Sequence, residues 1–129
     1  MPVINDRQAL AARRQAAQAR RKAVSRSKTL VNVSCGTCGL ASGAEQALEA
    51  MRQEVKALKL KDVEFIRSGC MTYCFAEPTV TITRPDSEPV TFGKVDEKRA
   101  RELVGEFILK GLPVPGEIAV GYERVVLSN

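Results

Sequence analysis

The chain has 129 residues, of which 44% are hydrophobic and only 5% aromatic, with no tryptophan and no histidine. That is the length of one domain with enough apolar material for a core, while no apolar run approaches the roughly 20 residues of a membrane span, no secretory segment follows Met1, and imidazole is excluded as base or ligand. The net charge of +5 is uneven: eight basic residues against Asp6 alone leave residues 1–28 at +7, so residues 29–129 carry −2, and a mildly acidic domain bears a basic arm.

The arm predicts a helix from Asp6 to Val24. Asn5 is the expected N-cap, with Gln8 three residues on as in a capping box. Alanines recur at 9, 12, 16, 19 and 23 as one small-residue stripe, with arginines on other faces. Such a stripe buries too little area to hold the arm on its own domain, but it allows close approach of another surface. Three uses compete: a solvated helix, a docking arm for a partner subunit, and an arm for nucleic acid or an anionic membrane. The last is disfavoured, because the arm has no aromatics to stack on bases and almost no large apolar side chains to insert in a bilayer. Its arginine-rich, acid-poor character also matches a mitochondrial presequence.

Thr29–Val33 alternates β-branched and other residues and reads as a strand ending at Cys35. Ser42 and Glu45 form a second capping box, opening a helix whose apolar face is Ala44, Ala47, Leu48, Met51, Val55 and Leu58. Asp62–Ile66 is a second strand, broken by Ser68-Gly69. The loop 69–78 follows. Thr79–Thr83 is a third strand, Pro85–Glu88 a turn, and Pro89–Phe92 a fourth strand. Asp96 caps a last helix, apolar at Ala100, Leu103, Val104, Phe107 and Ile108 and stopped by Gly111. Residues 112–129, rich in proline and glycine, read as a tail laid on a surface, with no strand assigned to Arg124–Leu127. The order β-α-β then β-β-α predicts an α/β fold: a four-stranded mixed sheet with flanking helices, its first crossover parallel and right-handed. The divisions are an arm at 1–28, a domain at 29–111 and a tail at 112–129.

The four cysteines form two pairs, Cys35-Gly36-Thr37-Cys38 and Cys70-Met71-Thr72-Tyr73-Cys74. Each pair lies just past the carboxyl end of a strand. In a parallel β-α-β unit those ends share one edge of the sheet, so the pairs can meet. Four thiolates suit a tetrahedral sulfur site or a [2Fe–2S] cluster, which takes two thiolates per iron. Gly36, Gly39 and Gly69 flank them and allow the backbone to bend closely around sulfur. Zinc held by four thiolates is an alternative. So is a thiol–disulfide oxidoreductase using Cys35 and Cys38, where a helix N-terminus lowers a thiol pKa and Pro78 stands where thioredoxin-type folds hold a cis proline. That reading leaves Cys70 and Cys74 unused. Two disulfides of a secreted protein fit less well without a signal peptide. No phosphate-binding glycine loop opens a helix after a strand. Glu77 and Tyr73 near the cysteines read as solvated or structural, so nothing else in the chain looks catalytic.

The stretches Cys35-Gly-Thr-Cys-Gly-Leu-Ala-Ser-Gly-Ala44 and Ser68-Gly-Cys-Met-Thr-Tyr-Cys-Phe-Ala-Glu-Pro78 resemble the thioredoxin-like [2Fe–2S] ferredoxins. That family includes the small iron–sulfur subunit of complex I and matching subunits of NAD-linked formate dehydrogenases, NAD(P)-linked iron hydrogenases and electron-bifurcating complexes. The small subunits of NADP-reducing hydrogenases, with a short helical arm ahead of one such domain, are the nearest in kind. The resemblance covers residues 29–112. It implies a thioredoxin-like fold and a [2Fe–2S] cluster on Cys35, Cys38, Cys70 and Cys74. It also implies flavin- and NAD(P)-binding and iron–sulfur partner subunits, docked partly through residues 5–25, and a cytoplasmic electron carrier rather than a catalyst. The complex I type has a longer spacer between its first two ligands, where this chain has two residues.

Overall fold

The computed structural model describes residues 3–118 apart from Asp86. The arm is a helix, α1 (Arg7–Ser27), longer at its end than expected because no glycine or proline stops it before the first strand. Its N-cap is Asp6, not Asn5: the Asp6 carboxylate accepts the Ala9 N–H at 2.7 Å, satisfying a free donor of the first turn and placing negative charge at the positive end of the helix dipole. Ala12, Ala16, Ala19 and Ala23 are exposed, so the stripe is not packed on the domain.

The domain begins with β1 (Thr29–Ser34), followed by a short helix α2 (Thr37–Ala41) and α3 (Ala44–Ala57). The expected capping box at Ser42 does not form. Ser42 closes α2, donating its N–H to Cys38 and Gly39 carbonyls, and Gly43 at φ +100° caps α3 instead. A left-handed residue between two helices that turn sharply is what glycine supplies at little cost. Strand β2 (Val63–Ser68) pairs in parallel with β1, Thr29 opposite Val63 and Ser34 opposite Ser68. Pairing carries it two residues past the expected end. Strands β3 (Val80–Thr83) and β4 (Val90–Phe92) follow, antiparallel to β1 and to each other respectively. The turn between them is held by the Ser87 N–H on the Arg84 carbonyl at 3.1 Å; Asp86 within it lies outside the described residues.

Asp96 caps α4 (Glu97–Glu102) through the Arg99 N–H at 2.8 Å. The helix loosens into a π-helical stretch, Leu103–Leu109, and ends at Gly111 with φ +70°. The tail then adds an element that its prolines concealed: β5 (Glu117–Ile118) pairs with β4. The four expected strands are thus joined by a fifth, in the order β2-β1-β3-β4-β5. The rest of the expected tail, including Arg124–Leu127, lies outside the described residues.

The core joins the sheet to α3 and α4. Val31, Val33, Val80 and Ile82 of the central strands are fully buried with Leu48 and Met51 of α3 and Leu103 and Val104 after α4. Phe92 meets Phe107 edge to face at 5.2 Å. Truncating Leu48 to alanine here costs about 2–5 kcal/mol. The packing matters to the site because it locks β1 and β2 in register, and both cysteine pairs hang from their ends. No helix among the described residues is long and apolar enough to cross a membrane.

Candidate metal centre

Cys35 follows the last residue of β1. Its N–H donates to the Ser68 carbonyl at 2.7 Å, so the parallel ladder continues one step past the strands and fixes the Cys35 backbone. The side chain is half-buried against the core. Three residues on, Cys38 sits exposed in α2. That helix lies hard against the end of β1. A Cβ on Gly39 would stand 2.3 Å from the Ser34 carbonyl oxygen, a distance no alanine tolerates, so close approach requires glycine here.

Cys70 and Cys74 come from the loop after β2. The Thr72 N–H donates to Cys70 Sγ at 3.2 Å, with Thr72 in the left-handed region at φ +72°. Cys74 opens a short 3-10 turn, Cys74–Ala76. Cys70 Sγ and Cys74 Sγ are 3.5 Å apart, far beyond the roughly 2.05 Å of a disulfide, and no disulfide joins the four cysteines.

The two pairs meet. A Cβ on Gly36 would lie 3.0 Å from Cys70 N and 3.3 Å from Cys70 Cβ, so the loops touch backbone to backbone. The neighbouring sulfur of Cys38, followed by that of Cys70, pushes the Cys74 thiol up to about 12. A proton shared with neighbouring sulfurs is held tightly, and bound cations displace it. At the other side, Arg67 pairs with the Glu45 carboxylate and holds its proton more tightly than usual, first through Cys35 and then Glu45. Of the flanking glycines, Gly36 and Gly39 make the expected close approaches, while at Gly69 a Cβ would meet nothing within 4 Å.

Glu77, expected to be solvated or structural, is 3% exposed. Its carboxylate accepts the Ser34 hydroxyl at 3.0 Å and the Thr79 N–H at 3.1 Å. The Ser34 hydroxyl is also 3.2 Å from the Gly69 carbonyl. One buried acid therefore joins the end of β1, the start of the Cys70 loop and the start of β3. The Glu77–Pro78 bond is cis, as expected for the proline before β3. Tyr73 stacks obliquely on exposed Phe75 at 5.8 Å. Glutamate beside proline was the available signal for Glu77, but burial comes from contacts distant in sequence. Arg67 was readable only from strand register.

Soft thiolates with no imidazole favour zinc or an iron–sulfur cluster over hard cations. A two-iron cluster takes two thiolates at each iron, which two cysteine pairs on adjoining loops can supply.

No family model matches the chain. The NADP-reducing hydrogenase subunit HndB of Solidesulfovibrio fructosivorans is 54% identical over 127 residues, covering 98% of this chain and 100% of that protein. Two structures of the thioredoxin-like [2Fe–2S] ferredoxin from Aquifex aeolicus superimpose with TM-scores of 0.64 and 0.62. They cover 77% and 72% of this chain and 97% and 98% of theirs, at 18% and 20% identity. The fold is therefore thioredoxin-like, and on its full-length similarity the chain belongs to the family of the NADP-reducing hydrogenase subunit HndB.

Proposed function

We propose that the protein is a [2Fe–2S] electron-transfer subunit of a cytoplasmic, multi-subunit NAD(P)-linked oxidoreductase of the hydrogenase type. Cys35, Cys38, Cys70 and Cys74 are its ligands. The observation that carries this reading is the meeting of two separate thiol pairs at one edge of the sheet, with Cys38 against Cys74 and Gly36 against Cys70. The full-length relative is a subunit of an NADP-reducing hydrogenase, and the structural neighbours are [2Fe–2S] ferredoxins.

The cluster, when bound, supplies reversible one-electron transfer. The protein contributes ligation and a fixed placement near the surface. Cys38, Cys70 and Cys74 are exposed, which brings a partner's centre within reach. The Thr72 N–H steadies the Cys70 sulfur, and Glu77 holds the loops together. Catalysis belongs in this reading to partner subunits that bind flavin and NAD(P). Residues 1–28 form the docking arm. Helix α1 is exposed along most of its length and strongly basic, and its alanines admit close contact with a partner surface.

Anaerobic purification tests the reading. The expected product is coloured, carries two irons and two labile sulfides per chain, and bleaches on reduction. Colourless protein with one zinc, or thiol–disulfide exchange lost in Cys35→Ser but kept in Cys70→Ser, would overturn it. Co-purification of the full chain with flavin-bearing subunits, lost on removing residues 5–25, tests the docking arm.

A further inference from the structure

We propose that Arg67, tethered by Glu45, is a positioning residue that raises the reduction potential of the centre by acting through the sulfur of Cys35; this rests on the cluster reading above. The geometry follows from register. Arg67 on β2 stands opposite Val33 on β1. Strand alternation places Cys35, two residues after Val33, on the same face of the sheet as both. The Cys35 N–H bonded to Ser68 at 2.7 Å carries that register up to the ligand itself. The same face carries α3, whose first turn contributes Glu45, and Glu45 receives the Arg67 guanidinium. The guanidinium is thus anchored by Glu45 on the face of the sheet that carries Cys35.

The two ligand pairs are consequently unlike. Cys70 receives a neutral backbone N–H from Thr72, whereas Cys35 lies beside a permanent cation. Each transfer cycle takes one electron from a reduced partner centre and passes one to an oxidised centre. No bond is made or broken, and Arg67 keeps its proton throughout, since guanidinium does not titrate in the working range. The added negative charge is stabilised by a fixed positive charge nearby and by hydrogen bonds to ligand sulfur. The Arg67 side chain is 51% exposed, so its effect is partly screened and depends on salt.

The test is a mediated redox titration, followed by visible and EPR spectra, on the anaerobically purified full chain and two variants with measured iron and sulfide. In Arg67→Gln the midpoint falls. At the wild-type midpoint its reduced-to-oxidised ratio drops about three- to tenfold, a tenfold change being ~59 mV for one electron. In Glu45→Gln the amide still accepts the guanidinium but the countercharge is gone, so the midpoint rises. Both shifts shrink at high salt. A merely structural role for Arg67 would change iron content or melting without these opposed shifts. An iron-replete Arg67→Gln with the wild-type midpoint overturns the proposal; if that variant fails to assemble, an unmoved midpoint in Glu45→Gln does so. Wild-type protein without iron and sulfide would instead overturn the cluster reading, and this inference with it.

Discussion

The two cysteine loops reach one place by different physical routes. Cys35 and Cys38 ride on regular structure: the end of a central strand, then a helix pressed against it through Gly39. Cys70 and Cys74 lie in an irregular loop whose order comes from side chains and turns, with Glu77 buried beneath it and Thr72 held in a left-handed conformation. The first loop inherits its geometry from the ladder and the core. The second needs one buried acid to acquire the same precision. The first should therefore tolerate polar changes and resist added volume, and the second the reverse.

The largest expected effect removes the comparison altogether. Replacing any one of Cys35, Cys38, Cys70 or Cys74 by serine substitutes a hard alcohol for a thiolate, and iron and labile sulfide should fall severely in each variant. A serine variant that keeps both in full would remove that residue from the ligand set. Glu77→Ala comes next. It strands the Thr79 N–H and leaves the Ser34 hydroxyl only the Gly69 carbonyl, at about 1–3 kcal/mol for one buried donor without a partner, read by denaturant titration. The same variant should lose cluster faster on chelation than wild type, because the Cys70 loop is released. Gly39→Ala sharpens the contrast from the other side, costing about 1–3 kcal/mol through overpacking against Ser34, whereas Gly69→Ala should stay within about 0.5 kcal/mol. The smallest effect is expected of the arm. Removing residues 5–25 should leave the denaturation midpoint of the domain nearly unmoved, since α1 buries little against it.

Much of this was legible in the chain because local rules governed it. The alternation at Thr29–Val33, the apolar face of α3 and the Asp96 cap each depend on neighbours within a few positions. The cysteine spacing after two strands pointed to one shared edge, and the parallel register bears that out. Where competing local signals coexisted, the choice went the other way: Asp6 reached the first turn better than Asn5, and Gly43 displaced Ser42 as a cap. Strand β5 was hidden because pairing with β4, not its own composition, makes Glu117–Ile118 a strand.

By itself the sequence determined the cysteine inventory, the α/β order and the separation of a basic arm from an acidic domain, since these rest on residue type and short-range periodicity. Only the tertiary structure decided that Glu77 is buried against the end of β1 and that Arg67 shares a sheet face with Cys35. Both depend on strand register and on contacts across more than thirty residues of chain. Packing of the core sets that register, and no local pattern encodes it.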